Sequence, residues 1–486
     1  MPKDSPASGA AAQNEIIEAD FCVIGAGSGG LTLAAAAAAY GQRVVLIEKH
    51  KMGGDGLNYG SVPSKALLAA AKRANAMRTA SLFGIRGVEP LIDHRAVQEH
   101  VKNVIAQIAP NDAVERFAGL GVRVITSAAR FVDKSTVSAG DYRIRARRFV
   151  IATGSSPVIP SIPGLADVPY FTNESIFENA DSIPHLIVIG AGSTGLELAQ
   201  AHRRLGSRVT VLDAAHAIAE EDPELAVVLL TRLSNEGIAI REGVRITRVS
   251  GGQGRIALEI ESRDGMETIE GSDLLLAAGR KANVADLGLE AAGIALANKA
   301  IKVNSGLRTR NRRVFAIGDA AGGPRYGHVA TDHAGIVLRR TLFRLRPSTS
   351  GRAVPRVIYT DPELAHIGLS EPEARAKHGK INVLRWPFHE NDRAQVERET
   401  DGHIKVVTSK KGRILGVSIV GASAGEIIQM WSLAMSQGLK IRAMTQWISP
   451  YPTLSEINKR VAFRYFATEP SNPFVRKIIA LLAKLG

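Results

Sequence analysis

Two stretches of the chain repeat one order of hydrophobic and polar positions. The first reads "DFCVIGAGSGGLTLAAAAAAYGQRVVLIEK" over residues 20–49, and the second reads "HLIVIGAGSTGLELAQAHRRLGSRVTVLD" over residues 185–213. Each has a short apolar run, a glycine-rich turn, about a dozen residues suited to a helix, and a second apolar run with a closing acid. This order predicts a strand–helix–strand unit that occurs twice, about 165 residues apart.

The glycine turns and the closing acids are the candidate nucleotide-binding residues. In such a unit the first glycine permits a tight turn, the second lets the backbone approach a pyrophosphate, and the third lets helix and strand pack closely. The helix N-terminus presents N–H groups to the phosphates, and the acid can accept hydrogen bonds from ribose hydroxyls. These residues are Gly25, Gly27, Gly30 and Glu48 in the first unit, and Gly190, Gly192, Gly195 and Asp213 in the second.

Two complete units predict two bound dinucleotides, with one dinucleotide and a decayed second site as the alternative. Asp213 would repel a 2′-phosphate, which favours NAD over NADP in the second unit. The basic residues His216, Arg203 and Arg204 lie nearby in the sequence and leave NADP open.

Two further apolar runs end in glycine turns. Residues 142–154 predict an alternating strand that ends at Thr153 and Gly154, and residues 273–283 predict a strand that runs into a turn at Gly279.

The next part of the chain predicts another strand and then a change of fold class. In residues 314–323 an apolar strand precedes Gly318 and Asp319, which open a predicted helix; Asp319 is either a helix cap or a binding residue. From about residue 350, short alternating strands mix with helices. We therefore expect an α/β protein with two doubly wound, Rossmann-like dinucleotide-binding domains and a C-terminal α+β domain.

Composition narrows the choice of partners. The length of 486 residues suits about three domains, and 45% hydrophobic with 22% charged residues is typical of a soluble globular protein. The 61 basic and 47 acidic residues give a net charge of +14, which favours anionic partners such as nucleotides. No basic run is interleaved with aromatic residues, so nucleic acid is not an expected partner.

Cysteine and the N-terminus restrict the chemistry and the location. Cys22 is the single cysteine, which excludes an intramolecular disulfide and a cysteine-ligated zinc or iron–sulfur site. We expect no metal site. We expect Cys22 to pack as an apolar residue. Residues 1–15 predict a disordered leader without the features of a secretory signal, and no apolar run is long enough to cross a bilayer. A cytoplasmic location is the default expectation.

Eight motifs, in order, carry a resemblance to a known family. They are "GAGSGG" with Glu48, "GGDGLNYGSVPSKALL", "ATGSSP", "GAGSTGLELA", "AAGRKAN", "VFAIGDAAG", "YTDPELAHIGLSE" and "YPTLSE". With them the chain resembles the flavoprotein disulfide reductases that contain two dinucleotide-binding domains, in particular dihydrolipoamide dehydrogenase and mercuric reductase. The resemblance extends from about residue 20 to 468.

The resemblance implies cofactors, roles and an assembly. FAD would occupy the first unit, with Gly318 and Asp319 at its ribityl and pyrophosphate groups, and NAD(P)H would occupy the second. Lys65, from "VPSK", would lie near flavin N5 and pair with Glu197, from "GLELA". A cation there stabilises the charge of reduced flavin. The chain would form a homodimer through its C-terminal domain.

The resemblance, together with the pattern of the two tails, gives the expected domain limits. They are a leader at 1–15, an FAD-binding domain at 16–160 and 275–345, an NAD(P)H-binding domain at 161–274, a dimerisation domain at 346–468, and an amphipathic helix at 469–486.

The redox segment departs from the family pattern. Gly56 and Ser61 stand at the positions where the family has its pair of redox cysteines. Neither glycine nor serine cycles through a disulfide or forms a thiolate, so the residues at these positions exclude the family's dithiol step.

A second departure lies near the C-terminus. Disulfide-reducing members have a proton-shuttling histidine directly before "PT", where this chain has Tyr451; Glu456 stands at the position of the family's orienting glutamate. Mercuric reductases also have a tyrosine there. A phenol is protonated at neutral pH and is a donor, not a base.

The last residues predict an amphipathic helix too short to cross a membrane. Phe474, Ile478, Leu481, Leu482 and Leu485 fall on one face, with Arg476, Lys477 and Lys484 elsewhere. Such a helix docks on its own dimer more commonly than on an anionic membrane surface.

These observations leave three hypotheses for function. The first is an FAD enzyme that takes hydride from NADH and passes electrons to a non-thiol acceptor, such as a quinone, a dye, a metal chelate or oxygen. The second is a cysteine-substituted form of a dihydrolipoamide dehydrogenase-like or mercuric reductase-like enzyme. The third is a dimeric flavin-binding scaffold or sensor without turnover.

Overall fold

The computed structural model describes residues 15–467 and 471–485. The predicted leader therefore lies outside the described residues except for Glu15, which begins the first strand. Residues 468–470 and 486, at the limits of the predicted dimerisation domain and C-terminal helix, also lie outside them.

The first unit is built on a seven-stranded sheet. Its parallel part aligns the apolar strands at their carboxyl ends, where the first glycine turn begins. Cys22 lies in the first strand with no exposed surface, as predicted for an apolar core residue. In sheet order the strands are Val122–Thr126, Val44–Glu48, Glu15–Ile24, Tyr142–Ile151, Thr136–Ala139 and Ala129–Phe131, with Val314–Ala316 beside Tyr142–Ile151.

Two helices pack against each other over this sheet, Ser28–Ala39 and Gly327–Thr341. Small side chains permit this close contact: a Cβ on Gly29 would lie 2.9 Å from the carbonyl oxygen of Ala330. The helices Gly54–Asn58, Ser61–Thr79, His94–Ile108 and Val114–Gly119 lie between the second and third strands of the chain.

The second unit is a four-stranded parallel sheet with a three-stranded antiparallel sheet beside it. The parallel strands are, in sheet order, Ile238–Arg241, Arg208–Leu212, His185–Ile189 and Asp273–Leu276, with helices Ser193–Arg204 and Pro223–Asn235. The antiparallel strands are Arg245–Gly252, Arg255–Ser262 and Gly265–Gly271. Helix Ser61–Thr79 of the first unit packs on helix Ser193–Arg204 of the second, and the two units share one hydrophobic core there.

The strand predicted before Gly279 is Asp273–Leu276, and a second strand in a different sheet follows the turn. Asp273–Leu276 ends the second unit's parallel sheet, whereas Arg280–Ala282 pairs with Ser155–Pro157. Gly279 separates them at a φ of +100°, a conformation that favours glycine and turns the chain. A last two-stranded sheet joins Leu296–Ala297 and Ala300–Ile301.

The C-terminal domain is a five-stranded antiparallel sheet covered by helices. Trp431 is fully buried in its core and donates from Nε1 to Asn458 Oδ1 at 2.6 Å. The strands are, in sheet order, Arg356–Ile358, Glu363–Gly368, Ile414–Gly421, His403–Ser409 and Ile381–Pro387. The covering helices are Glu371–His378, Asp392–Glu397, Ala424–Ser436, Ala443–Gln446 and Ile457–Phe463, and the helix Pro473–Leu482 follows them in the chain.

Short 3₁₀ helices connect these elements. They are Ala80–Phe83, Ala109–Asp112, Leu165–Asp167, Ile176–Glu178, Gly318–Ala321, Phe388–Glu390, Leu454–Glu456 and Arg464–Phe466. Among the described residues, no helix has both the length and the apolar content needed to cross a membrane.

Candidate functional site

The first glycine turn has the tight geometry that its sequence predicts. Gly25 has a φ of +105°, and a Cβ there would lie 2.4 Å from the Ala152 carbonyl oxygen. A Cβ on Gly30 would lie 1.9 Å from the Gly25 carbonyl oxygen, so the helix cannot approach the strand with any larger residue there. Around Gly27, by contrast, the nearest atom to an added Cβ is 4.0 Å away.

The second glycine turn repeats this geometry. Gly190 has a φ of +110° with its Cβ position 2.4 Å from the Ala277 carbonyl oxygen, and the Cβ position of Gly195 is 1.9 Å from the Gly190 carbonyl oxygen. No atom lies within 4 Å of the Cβ position of Gly192. In both units, therefore, packing requires the first and third glycines, while the middle glycine keeps the backbone accessible.

The two acids are held in the same way. The Glu48 carboxylate accepts hydrogen bonds from the backbone N–H of Ala26, at 2.6 Å, and of His50, at 2.9 Å. The Asp213 carboxylate accepts from the N–H of Ala191, at 2.7 Å, and of Ala215, at 2.8 Å. Each acid is thus fixed against the middle of its glycine turn, and each carboxylate oxygen keeps a lone pair for a further donor.

A cavity of about 200 Å³ lies beside the second turn, between the second unit and the C-terminal domain. Its lining includes Gly192, Ser193, Asp213, His216, Tyr326 and Arg356. The three basic residues near Asp213 in the sequence do not meet there. Arg204 is buried with Glu236 and Asp361, and Arg203 donates to the Glu236 carbonyl oxygen, so only His216 lines the cavity.

Lys65 and Glu197 form an ion pair between the two units. Lys65 Nζ lies 2.6 Å from Glu197 Oε2, and the Glu197 side chain is only 6% exposed. The other oxygen, Oε1, accepts from the backbone N–H of Tyr359 at 2.9 Å, and Lys65 Nζ lies 4.4 Å from the centre of the Tyr359 ring. The lysine is therefore positioned by residues of the second unit and of the C-terminal domain.

Asp319 is not a helix cap. It lies within the 3₁₀ helix Gly318–Ala321, and its Oδ2 accepts from Ser155 Oγ at 2.5 Å. Gly318, at a φ of +59°, donates from its N–H to His333 Nδ1 at 3.1 Å. The helix that follows, Gly327–Thr341, starts later than the sequence predicts because two further glycines turn the chain.

Thr153 and Gly154 join the strand end to the "AAGRKAN" segment. Thr153 Oγ1 donates to the Asn283 carbonyl oxygen at 2.6 Å, and the N–H of Asn283 donates to the Gly154 carbonyl oxygen at 2.9 Å. The carbonyl oxygen of Gly279 accepts from the N–H of Val158 at 3.0 Å. These bonds bring the first unit's strand and the chain's return from the second unit together beside Asp319.

A polar network that the sequence does not predict lies at residues 53–68. Arg280 donates from Nε to Ser155 Oγ at 2.8 Å and from Nη2 to Asp55 Oδ1 at 3.0 Å. Asn173 donates from Nδ2 to the same Asp55 oxygen at 3.2 Å. The network thus links Asp55, beside Gly56, to Asp319. The two members of each bonded pair lie more than 100 residues apart, and no local pattern in the sequence marks them.

Gly56 and Ser61 are both exposed in the single chain. Gly56 lies in helix Gly54–Asn58, and no atom lies within 4 Å of where its Cβ would be. Ser61 is the first residue of helix Ser61–Thr79, which carries Lys65 one turn later. Packing therefore does not explain the glycine.

Tyr451 and Glu456 lie apart from the Lys65 pair. Tyr451 is 69% exposed and donates from its hydroxyl to Asp392 Oδ2 at 2.8 Å, which raises the pKa of the phenol and keeps it a donor. Glu456 pairs with Arg460 at 2.8 Å. Within the described part of the single chain, no recorded hydrogen bond connects either residue to Lys65 or Glu197.

No cluster of three or more His, Cys, Asp or Glu residues suited to a metal ion occurs in residues 15–467 and 471–485.

Comparison with known proteins shows relatives along nearly the whole chain. The mercuric reductase of Lysinibacillus sphaericus is 32% identical over 451 residues, which cover 92% of this chain and 82% of the relative. The dihydrolipoyl dehydrogenase of Geobacillus stearothermophilus is 32% identical over 457 residues, which cover 92% of this chain and 96% of the relative.

A solved structure has the same architecture. The HOCl-induced flavoprotein disulfide reductase RclA from Escherichia coli matches with a TM-score of 0.83 and 27% identity, over 91% of this chain and 99% of that chain. The model of the pyridine nucleotide-disulphide oxidoreductases matches residues 19–334, and that of their dimerisation domain matches residues 354–462.

These matches confirm the predicted fold class, with its two nucleotide-binding domains and a C-terminal dimerisation domain. The chain belongs to the pyridine nucleotide-disulphide oxidoreductase family.

Proposed function

We propose that this protein is an FAD-dependent NADH oxidoreductase whose electrons go to a non-thiol acceptor, such as a quinone, a dye, a metal chelate or oxygen. One combination of observations carries the proposal. Both nucleotide-binding turns and the Lys65–Glu197 pair are intact, whereas Gly56 and Ser61 stand where the family has its redox cysteines.

The geometry of the first unit fits FAD. Gly27 keeps the backbone open at the helix N-terminus, and Glu48 has lone pairs for ribose hydroxyls. The residues that would hold FAD are Gly25, Gly27, Gly30, Glu48, Thr153, Gly154, Gly279, Gly318 and Asp319. When bound, FAD would supply hydride acceptance from NADH and onward transfer of one or two electrons without sulfur.

The second unit would hold NADH through Gly190, Gly192, Gly195 and Asp213. The fixed carboxylate of Asp213 supports NADH over NADPH, because it would repel a 2′-phosphate and the nearby Arg203 and Arg204 are bonded elsewhere. Lys65 would act as the cation beside the electron-accepting ring, held in place by Glu197 and Tyr359.

We infer a homodimer from the family's dimerisation domain. In the single chain Tyr451 is exposed and donates to Asp392, and in the dimer its phenol would be a hydrogen-bond donor, with Glu456 near it in the chain. A tyrosine in place of a histidine base agrees with the absence of a thiol to protonate at positions 56 and 61.

A panel of acceptors tests this function. The purified protein should oxidise NADH with a short-chain benzoquinone or ferricyanide, and it should show no rate above background with lipoamide or mercuric ion. NADH oxidation that depends on lipoamide or mercuric ion would refute the non-thiol assignment.

A second candidate, a cysteine-substituted form of an active reductase, is favoured by the open space at Gly56. In that case the variant Gly56→Cys/Ser61→Cys should gain turnover with lipoamide or mercuric ion. If it folds, contains flavin and still uses neither, this candidate fails.

A further inference from the structure

The C-terminal helix lies outside the residues that match the family models. The dimerisation model ends at residue 462, and the helix spans Pro473–Leu482. Its start carries two local signals: Asn472 Oδ1 accepts from the N–H of Phe474 at 2.9 Å, and Pro473 occupies the first turn. The start of the helix is therefore specified by its own sequence.

One face of this helix is apolar and uncovered. Within the described chain no residue of the helix is buried, although most of its side chains are large and hydrophobic. The exposed fractions are 69% for Phe474, 41% for Ile478, 63% for Leu481, 56% for Leu482 and 78% for Leu485. This exposure on one face is costly in water, so the face needs an apolar cover.

The charge of the helix indicates which kind of surface binds its apolar face. Residues 471–485 contain the basic residues Arg476, Lys477 and Lys484 and no acidic residue, and the whole chain carries +14. On a helical wheel Lys477 and Lys484 flank the apolar face, between Leu481 and Ala480, where an interfacial helix would place its cations. A second copy of the chain would bring further positive charge toward these cations, whereas an anionic lipid surface attracts them and also accepts apolar side chains.

We propose that this helix binds the surface of an anionic lipid bilayer. Its apolar face enters the boundary between headgroups and acyl chains, and its lysines reach lipid phosphates. The helix is too short to cross the bilayer, so the contact is peripheral. This inference is independent of which acceptor takes the electrons.

Co-sedimentation with vesicles tests the proposal on the full chain as purified. Vesicles of phosphatidylcholine alone are compared with vesicles of phosphatidylcholine and phosphatidylglycerol, at low and high salt. The protein should bind the anionic vesicles, and high salt should weaken binding. The variant Ile478→Gln/Leu482→Gln should bind about tenfold less or weaker still, because both apolar contacts are lost.

Two variants serve as matched controls. Ala480→Gln places the same amide on the opposite face and should bind like the unmodified protein. Lys477→Gln/Lys484→Gln should lose most of the salt-dependent part of binding. Flavin content and NADH oxidation should be the same in all variants. A negative result for vesicle binding can therefore be distinguished from a negative result for the proposed enzyme activity.

Three results would overturn the proposal. The first is no binding to anionic vesicles. The second is equal binding by the unmodified protein and the Ile478→Gln/Leu482→Gln variant, which would place the contact on another basic surface. The third is dissociation of a dimer by that variant with vesicle binding unchanged, which would show that a second copy covers the face.

Discussion

At the scale of single residues, the pair of Lys65 and Glu197 is the most specific feature of the candidate site. Glu197 uses one oxygen for the lysine, at 2.6 Å, and the other for the backbone of Tyr359, at 2.9 Å. Because the carboxylate is buried and fully engaged, it fixes the position of the cation more firmly than an exposed pair would.

Replacing Glu197 by Gln removes the charge of the carboxylate and keeps the size of the side chain. The amide can still accept from Tyr359 but no longer binds Lys65 as an ion, so reduction of the flavin by NADH should slow by about tenfold or more. Stopped-flow absorbance of the flavin band measures this rate. Glu89→Gln, which removes an exposed partner of Arg78, is the control and should leave the rate unchanged. An unchanged rate in Glu197→Gln would show that the pair is structural only.

This pair could be predicted only through the family resemblance, since 132 residues separate its members. The roles of Tyr359 and of the Asp55–Arg280 contact could not be predicted, because both depend on chain segments that meet only after folding. Tyrosine, aspartate and arginine are common residue types, and their presence in the sequence does not indicate which residues they contact.

At the scale of elements, the two glycine turns are nearly copies of each other. Local rules predicted them well, because steric limits on backbone contact act within a few residues. The 12-residue helices Ser28–Ala39 and Ser193–Arg204 confirm the predicted pattern. The turn predicted at Gly279 is present, whereas the long helix predicted from Gly318 starts later, where further glycine conformations redirect the chain.

Alanine substitutions at two glycines of the second turn should affect different properties, NADH binding at Gly192 and stability at Gly195. Gly192→Ala meets no atom within 4 Å, so the melting temperature should not change, but the methyl group would stand where the backbone approaches a pyrophosphate. The KM for NADH should rise by roughly tenfold, as for the loss of one hydrogen bond. Gly195→Ala places its Cβ 1.9 Å from the Gly190 carbonyl oxygen and should lower the melting temperature.

Thermal unfolding followed by circular dichroism, together with steady-state kinetics, checks both variants. Flavin content should stay constant in Gly192→Ala, since the first turn is untouched. An unchanged KM in that variant would contradict the assignment of the second turn to NADH.

At the scale of the whole molecule, a charge cluster around the buried Lys405 connects the second unit to the C-terminal domain. Lys405 Nζ lies 2.7 Å from Asp222, 3.0 Å from Glu224 and 3.1 Å from Glu371. Arg385 also pairs with Glu224, at 2.6 Å. Nothing in the sequence marks this cluster, because its members belong to separate domains and are ordinary surface types.

The charge cluster predicts that the folded protein loses stability at acidic pH, when Glu224 becomes protonated. Hydrogen bonding to Arg385, and then to Lys405, lowers the pKa of Glu224 to about 2. A lowered pKa in the folded state means that the pairing stabilises the fold above the unfolded-state pKa of about 4.3, and that this contribution is lost as pH falls toward 2. Glu224→Gln should therefore melt lower than the unmodified protein at pH 7.

Melting temperatures measured from pH 7 down to pH 3 test this behaviour. The difference between the unmodified protein and Glu224→Gln should shrink below about pH 4.3. Glu174→Gln, at an exposed loop position, should show no pH-dependent difference. A difference of equal size at pH 7 and pH 3 would exclude Glu224 as the source.

The most direct test of the whole account is an anaerobic titration of the purified protein with NADH, followed by absorbance. About one equivalent should bleach the flavin completely, without a long-wavelength band from thiolate to flavin, because no redox-active thiol pair is present. The Gly56→Cys/Ser61→Cys variant provides the comparison with a dithiol. Uptake of about two equivalents by the unmodified protein, or bound flavin that NADH never reduces, would contradict the account.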